Sequence, residues 1–142
     1  MAIAALIAVE PVADALLKAI RQRMTGLRTG DGTRQVDMGP LVTGAHRDKV
    51  AGYIDAGLRD GAMLVVDGRA IEMDGEASGY WLGPTLFDGV HEGMSIYRDE
   101  IFAPVLCVLR VQSNTEALRL VNEHTYGNGT AIFTRDGGAA KS

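Results

Sequence analysis

This chain has one cysteine among 142 residues, so it contains no internal disulfide. Such sparse cysteine use is typical of a reducing compartment, and it excludes the small secreted domains that depend on disulfides. We do not expect the apolar N-terminal stretch to be a signal peptide, because no basic residue precedes it and Glu10 and Pro11 end it early. We therefore expect an intracellular, cytoplasmic protein.

The chain also lacks a block of like charge and a long apolar run. Its 14 basic and 18 acidic residues are interspersed and give a net charge of −4. Nucleic acids and anionic membrane surfaces bind clustered Lys and Arg, so neither is an expected partner. No apolar run reaches the ~18 residues that a transmembrane helix requires, and a soluble protein is expected.

Phosphate-binding and metal-binding motifs are missing as well. Neither Gly-x-Gly-x-x-Gly nor Gly-x-x-x-x-Gly-Lys-Ser/Thr occurs, so the stretch from Thr29 to Thr33 is interpreted as a loop. His91 and Glu92 are adjacent, but no other His, Cys or carboxylate converges on them, so no metal site is predicted. His46 is interpreted as a solvated residue in the first turn of a helix.

Strand-like and helix-like segments alternate along the chain. Helical spacing follows Pro11, which suits a first turn, and also follows Thr43, a candidate N-cap, and the capping box Ser113–Glu116. The second helix has the apolar stripe Val50, Ile54, Gly57 and Leu58 and stops at Gly61. Short apolar runs predict strands at Ala5–Val9, Ala62–Val66, Tyr80–Leu82 with Pro84–Phe87, Val105–Leu109 and Thr130–Thr134.

The fold class follows from this alternation. With 46% hydrophobic residues, the chain is expected to form one globular domain or part of one. Strands that alternate with helices through short links, several of them apolar on both faces, predict an α/β fold. The expected architecture is a mostly parallel sheet with helices on its faces, and residues 69–79 form a polar, exposed excursion.

One stretch, from Ile96 to Leu106, is a candidate ligand site. Pro104 ends any helix before it and precedes an apolar strand. Glu100 and Phe102 are two residues apart, so their side chains project side by side if the backbone is extended there. A carboxylate and an aromatic ring at the mouth of a buried strand are well placed to contact a ligand, although most loop carboxylates are simply solvated.

Several motifs resemble those of the aldehyde dehydrogenase superfamily, in its order and at its spacings. They are Asp37-Met-Gly-Pro-Leu-Val42, Gly83-Pro-Thr-Leu-Phe87, Glu100-Ile-Phe-Ala-Pro104 and Tyr126-Gly-Asn-Gly-Thr-Ala-Ile-Phe-Thr134. The last motif, with Tyr97 ahead of the glutamate, most resembles CoA-acylating methylmalonate-semialdehyde dehydrogenases.

That resemblance implies an oxidoreductase of valine catabolism that uses NAD, takes CoA as co-substrate and assembles as a homotetramer. Its small-molecule substrate would be methylmalonate or malonate semialdehyde. By the same resemblance, Glu100 hydrogen-bonds the ribose hydroxyls on the nicotinamide side of NAD, and Phe102 packs close to the nicotinamide. The family normally has Gly where this chain has Ala103, so a positive φ there would strain the turn by roughly 1 kcal/mol.

The resemblance also implies what this stretch of sequence leaves out. Residues 1–142 match part of a catalytic domain, without the upstream NAD-binding domain, the nucleophilic Cys or the C-terminal segment. Cys107 is not expected to replace that nucleophile, because a mid-strand thiol is buried and burial raises its pKa. No catalytic residue is therefore assigned, and the chain is expected to be inactive alone.

Two other functions stay open. The chain could instead be a non-enzymatic interaction module that exposes a sheet edge and apolar helix faces, and such surfaces bind partners or aggregate. It could also belong to a general NAD(P)-dependent aldehyde dehydrogenase without CoA dependence. Behaviour in size-exclusion chromatography separates the first alternative from the enzyme interpretation.

Overall fold

Strands and helices alternate in the structure, a computed structural model that describes residues 3–71, 78–127 and 129–141. The strands are β1 Ala5–Val9, β2 Met63–Val66, β3 Thr85–Asp88 and β4 Val105–Val111. The α-helices are α1 Ala13–Met24, α2 Gly44–Arg59, α3 Ser95–Arg98 and α4 Asn114–Glu123. Single 3₁₀ turns occupy Gly32–Arg34 and Gly68–Ala70. No helix in the described ranges is long and apolar enough to span a membrane.

The strands form one sheet in the order β1-β4-β3-β2. β4 runs parallel to β1, where Ala5 pairs with Cys107, and parallel to β3, where Thr85 pairs with Val105. β2 runs antiparallel to β3 at one edge of the sheet. The predicted fold class, a mostly parallel sheet with helices on its faces, is confirmed.

β4 contributes to both hydrophobic clusters because side chains alternate between the two faces of a strand. Cys107 and Leu109 belong to the cluster that α2, α3 and α4 cover, and Val108 belongs to the cluster that α1 covers. The seven-residue strand is therefore apolar on both faces, as predicted. The first cluster, called the main core below, includes Val50, Ile54, Phe87, Ile96, Ile101 and Leu120.

Both predicted helix N-caps are confirmed. The Thr43 hydroxyl accepts a hydrogen bond from the backbone N–H of His46 at 3.1 Å, at the start of α2. The Ser113 hydroxyl accepts from the N–H of Glu116 at 3.2 Å, at the start of α4. Each cap satisfies an N–H group that has no partner within its own helix.

Two predicted strands are wrong. Residues 130–134 form no strand: Ile132 is 46% exposed and Phe133 88% exposed. A strand needs a hydrogen-bonding neighbour, and no strand in the described residues pairs with this segment. Residues 80–82 are also not a strand, because their region makes only single backbone bonds to loops, such as that from Leu41 N–H to the Tyr80 carbonyl.

Smaller differences concern burial and helix ends. β2 is a half-buried edge strand rather than a buried one, and Met63 is 64% exposed. Leu58 is 43% exposed, because the buried face of α2 is rotated away from it. Pro11 lies two residues before the first residue of α1 rather than within its first turn. Most of the predicted polar excursion, residues 72–77, lies outside the described residues.

Candidate functional site

The two predicted site residues lie on the turn between α3 and β4, called the 99–104 turn below. Glu100 and Phe102 are both exposed, Phe102 to 81%, whereas Ile101 between them is only 8% exposed and packs in the main core. The side chains at 100 and 102 are therefore both accessible to a ligand. Glu100 makes no hydrogen bond or ion pair with another described residue, so both carboxylate oxygens can accept from a ligand.

The backbone of this turn differs from the expectation in one respect. The residue with positive φ is Phe102, at +56°, whereas Ala103 is not among the described residues with positive φ. The condition for strain at Ala103 is therefore not met, and the left-handed backbone lies instead at the aromatic residue Phe102. After it, the Val105 N–H donates to the Ala103 carbonyl at 2.7 Å, and the Thr85 N–H donates to the Pro104 carbonyl at 2.8 Å.

Helix α2 contacts both ends of the turn. His46 Nε2 lies 3.1 Å from the Phe102 carbonyl oxygen, and the Tyr53 hydroxyl donates to Asp99 Oδ2 at 2.8 Å. The interpretation of His46 as a solvated residue is wrong, because it is half-buried and bonded to a residue 56 positions away. The hydrogen bond to Asp99 is the main cause that raises the pKa of Tyr53.

The spacing of residues in the sequence of α2 could have indicated these two contacts. His46, Val50 and Tyr53 are four and then three residues apart, so they lie on one face of the helix. Val50 is fully buried in the main core, and the same face continues through Ile54. A histidine and a tyrosine on an apolar stripe indicate that their polar atoms form hydrogen bonds with other parts of the chain. The sequence does not identify the groups to which they bond.

The only cysteine is not a nucleophile. Cys107 is 1% exposed, and burial raises its pKa to about 12. Its thiol lies 3.3 Å from the Ile96 carbonyl oxygen, to which it donates a hydrogen bond. Because the reactive form of cysteine is the thiolate, this side chain is inert at neutral pH, as predicted.

His91 and Glu92, which are adjacent in the sequence, each bond to another group of the chain. His91 Nδ1 accepts a hydrogen bond from the Gly93 N–H at 3.1 Å, and Glu92 pairs with Arg119 at 3.0 Å. Within the described residues, no group of three His, Cys, Asp or Glu side chains is arranged to hold a metal ion.

The position of the turn on the sheet is unusual for a ligand site. Ligands of parallel α/β sheets bind beyond the carboxyl ends of the strands, but the 99–104 turn precedes β4 and lies at its amino end. The carboxyl ends instead carry an ionic cluster in which Arg110 pairs with Asp88, Glu10 and Asp14. Opposite charges satisfy one another there, so we assign that cluster to stability.

Comparison with known proteins identifies the family. The family model described as the aldehyde dehydrogenase family matches residues 1–142. The chain belongs to the aldehyde dehydrogenase family. The resemblance carried by its motifs is thereby confirmed.

Three similar proteins are named as semialdehyde dehydrogenases. The chain is 54% identical over 133 residues to the malonate-semialdehyde dehydrogenase of Pseudomonas aeruginosa, covering 93% of this chain and 27% of that protein. The crystal structure of methylmalonate-semialdehyde dehydrogenase from Oceanimonas doudoroffii superposes with a TM-score of 0.92 at 44% identity. That match covers 96% of this chain and 28% of the other.

A third aldehyde dehydrogenase was solved with the cofactor bound. It is a Sinorhizobium meliloti protein, named as a methylmalonate-semialdehyde dehydrogenase, in complex with NAD. It superposes with a TM-score of 0.94 at 44% identity, over 99% of this chain and 29% of that one. The chain thus spans less than a third of the length of these relatives. The roles of Glu100 and Phe102 remain predictions.

Proposed function

We propose that this chain supplies the nicotinamide-ribose side of the NAD site in a CoA-acylating methylmalonate- or malonate-semialdehyde dehydrogenase. The observation that carries the proposal is the paired exposure of Glu100 and Phe102 on a turn that α2 holds in place. The names of the similar proteins support the semialdehyde substrate. CoA as co-substrate is part of this proposal, and the resemblance of the motifs supports it.

The residues present fit the cofactor. Glu100 is exposed and unpaired within the described chain, so its carboxylate can accept hydrogen bonds from two neighbouring ribose hydroxyls. The exposed ring of Phe102 offers an apolar surface that packs on a planar nicotinamide and excludes water from one face of it. NAD, when bound, accepts the hydride of an aldehyde oxidation.

Cys107, the one cysteine of the sequence, does not supply the covalent step. Acyl transfer to CoA requires a nucleophile that forms a thioester, and Cys107 is buried in β4 with its pKa raised to about 12. We therefore propose that the 142-residue chain contributes cofactor contacts but no turnover by itself. Assembly into a homotetramer and a place in valine catabolism are also part of this proposal.

Glu100→Gln should weaken NAD binding to the chain by about tenfold or more, because hydrogen bonds to an ionised group are the stronger ones. The measurement is a titration with NAD followed by NMR, in which the backbone signals of Glu100 and Phe102 shift in a saturable way.

The unmodified chain should show no turnover. Incubation of this chain with methylmalonate semialdehyde, NAD and CoA should produce neither NADH absorbance nor propionyl-CoA.

Glu123→Gln is the matched control, since Glu123 is an exposed carboxylate on α4 that pairs with Arg119. It should leave the NAD affinity unchanged. Equal affinities for the two variants, or no saturable shift in the unmodified chain, would contradict the proposed cofactor contact. Turnover that survives Cys107→Ser would contradict the proposed absence of a nucleophile.

Exposed apolar side chains favour a second candidate, an interaction module that binds another polypeptide. Val42 is 89% exposed, Phe133 88% and Met63 64%, and Met63 lies on the edge strand β2. We expect the purified chain to elute from size-exclusion chromatography as oligomers whose proportion rises with concentration. A monomer that stays soluble at all concentrations tested would count against this candidate.

A further inference from the structure

Among the described residues, the contacts that position Glu100 and Phe102 are made by the backbone of the turn and not by these two side chains. Glu100 has no polar partner among the described residues, and the ring of Phe102 is 81% exposed. Phe102 also has φ +56°, a left-handed backbone that a bulky residue adopts only when its surroundings hold it there. Something outside the turn must therefore fix the direction in which these two side chains point.

His46 provides one such restraint. A carbonyl oxygen only accepts hydrogen bonds, so the 3.1 Å contact with the Phe102 carbonyl requires a proton on His46 Nε2. The Thr43 cap fixes the backbone of His46 in the first turn of α2. The hydrogen bond thus joins the left-handed residue to the rigid start of a helix of 16 residues.

Tyr53 provides the second restraint, and the dimensions of the two segments agree. His46 and Tyr53 are seven residues apart, which is roughly 10 Å along a helix. The three steps from Asp99 to Phe102 span at most roughly 10 Å, and Asp99 has the extended angles φ −94° and ψ 144°. Between these two contacts, Ile101 is buried in the main core and anchors the middle of the segment.

We propose that His46 and Tyr53 are positioning residues for the cofactor side of the site. They hold Asp99 and Phe102 against α2, in an antiparallel arrangement, so that Glu100 and Phe102 face the same ligand. This role rests on the proposed function in one respect, which is that the ligand is NAD. The restraint itself is a property of the chain without NAD, and it can be measured separately.

The sequence permits a direct measurement on the bonded carbonyl. Among its three phenylalanines, only Phe102 is followed by alanine. Labelling with carbonyl-¹³C phenylalanine and ¹⁵N-alanine therefore gives a single HNCO peak, from Phe102 and Ala103. That peak should shift in His46→Leu, which has no donor, and stay near its original position in His46→Gln, whose side-chain amide can donate.

Tyr53→Phe should shift the signals of Asp99 with little change at the Phe102 carbonyl, because it removes only the hydroxyl at the other end. His91→Leu is the matched control, since His91 bonds to Gly93 in a separate loop, and it should leave the HNCO peak unchanged. An unmoved peak in His46→Leu, or equal shifts in His46→Gln and His46→Leu, would overturn the restraint. If His46→Leu does not fold, the unmodified chain still decides: a His46 ring protonated on Nδ1 and not on Nε2 contradicts the proposal.

The ligand-binding consequence is measured by titrating the same variants with NAD. His46→Leu should weaken NAD binding about fivefold, the value of one hydrogen bond, and His46→Gln should restore it. A shifted peak with unchanged NAD affinity would refute the positioning role while leaving the restraint. If the unmodified chain does not bind NAD, the proposed cofactor contact fails, whereas the HNCO peak still tests the restraint.

Discussion

Gly68→Ala should destabilise the chain by about 3 kcal/mol, one of the two largest effects expected here. A β-carbon at Gly68 would lie 2.0 Å from the Gly83 carbonyl oxygen and 2.7 Å from the Thr85 hydroxyl. The Gly83 N–H donates to the Gly68 carbonyl at 2.8 Å, and the Gly68 N–H donates to the Thr85 hydroxyl at 3.1 Å. Moving the backbone to relieve the clash therefore breaks both hydrogen bonds, each worth about 1 kcal/mol.

Gly52→Ala provides the matched control for this substitution. Gly52 lies inside α2, and a β-carbon there would have no atom within 4 Å apart from the neighbouring residues and the backbone of its own helix. Alanine favours a helix interior over glycine by about 0.8–1 kcal/mol, so this variant should be slightly more stable than the original. Urea unfolding, followed by the fluorescence of the single tryptophan, Trp81, and by circular dichroism, measures both effects. Equal unfolding midpoints for the two variants would contradict the close backbone approach.

The parts of the fold that depend on local pattern could be predicted from the sequence. β4 was identified because its residues are apolar on both faces, and the starts of α2 and α4 because Thr43 and Ser113 are strong caps. Each of these signals acts over a few residues along the chain. A mostly parallel sheet then follows from the alternation of strands with helices.

Pairing between distant segments could not be predicted in the same way. The segment 130–134 has a strand-like composition, yet a strand also requires a neighbour, and composition does not tell whether one is present. The burial of β2 depended likewise on its place at the edge of the sheet, which only the strand order shows. These errors arise because strand formation is a property of the sheet rather than of one segment.

The same distinction between local and distant signals applies to the candidate site. Glu100 and Phe102 were located from spacing and family resemblance, and both are exposed as expected. The contacts from His46 and Tyr53 join positions 56 and 46 residues apart, so helix periodicity indicates the face but not the partner. The sequence likewise did not locate the positive φ, which lies at Phe102 and not at Ala103.

Asp88→Ala should cost about 3 kcal/mol of stability, because it opens the ionic cluster at the carboxyl ends of the parallel strands. Asp88 is 5% exposed, and its carboxylate accepts from Arg110 Nε at 3.0 Å, from Nη2 at 2.8 Å and from the Gly89 N–H at 2.8 Å. Removing the carboxylate leaves the Gly89 N–H without its acceptor and deprives Arg110 of a bidentate partner.

Asp48→Ala is the matched control for Asp88→Ala. It also removes an aspartate that pairs with an arginine, but at an exposed position. Asp48 accepts from Arg47 at 2.7 Å, but its side chain is 68% exposed. Ion pairs in water contribute little, because solvent screens them and the two side chains lose freedom. The unfolding midpoint in urea should therefore fall for Asp88→Ala and stay close to its original value for Asp48→Ala.

The pH dependence separates the charge of Asp88 from its packing. The hydrogen bonds from Arg110 hold the pKa of Asp88 below its ordinary value of 3.8. A carboxyl with a lowered folded pKa stabilises the protein fully above its unfolded pKa, and that contribution is lost as the pH falls through the folded pKa. The difference in unfolding free energy between the original chain and Asp88→Ala should thus be constant near neutral pH and shrink below about pH 4. A difference that stays constant into that acid range would show that Asp88 stabilises the sheet by packing rather than by its charge.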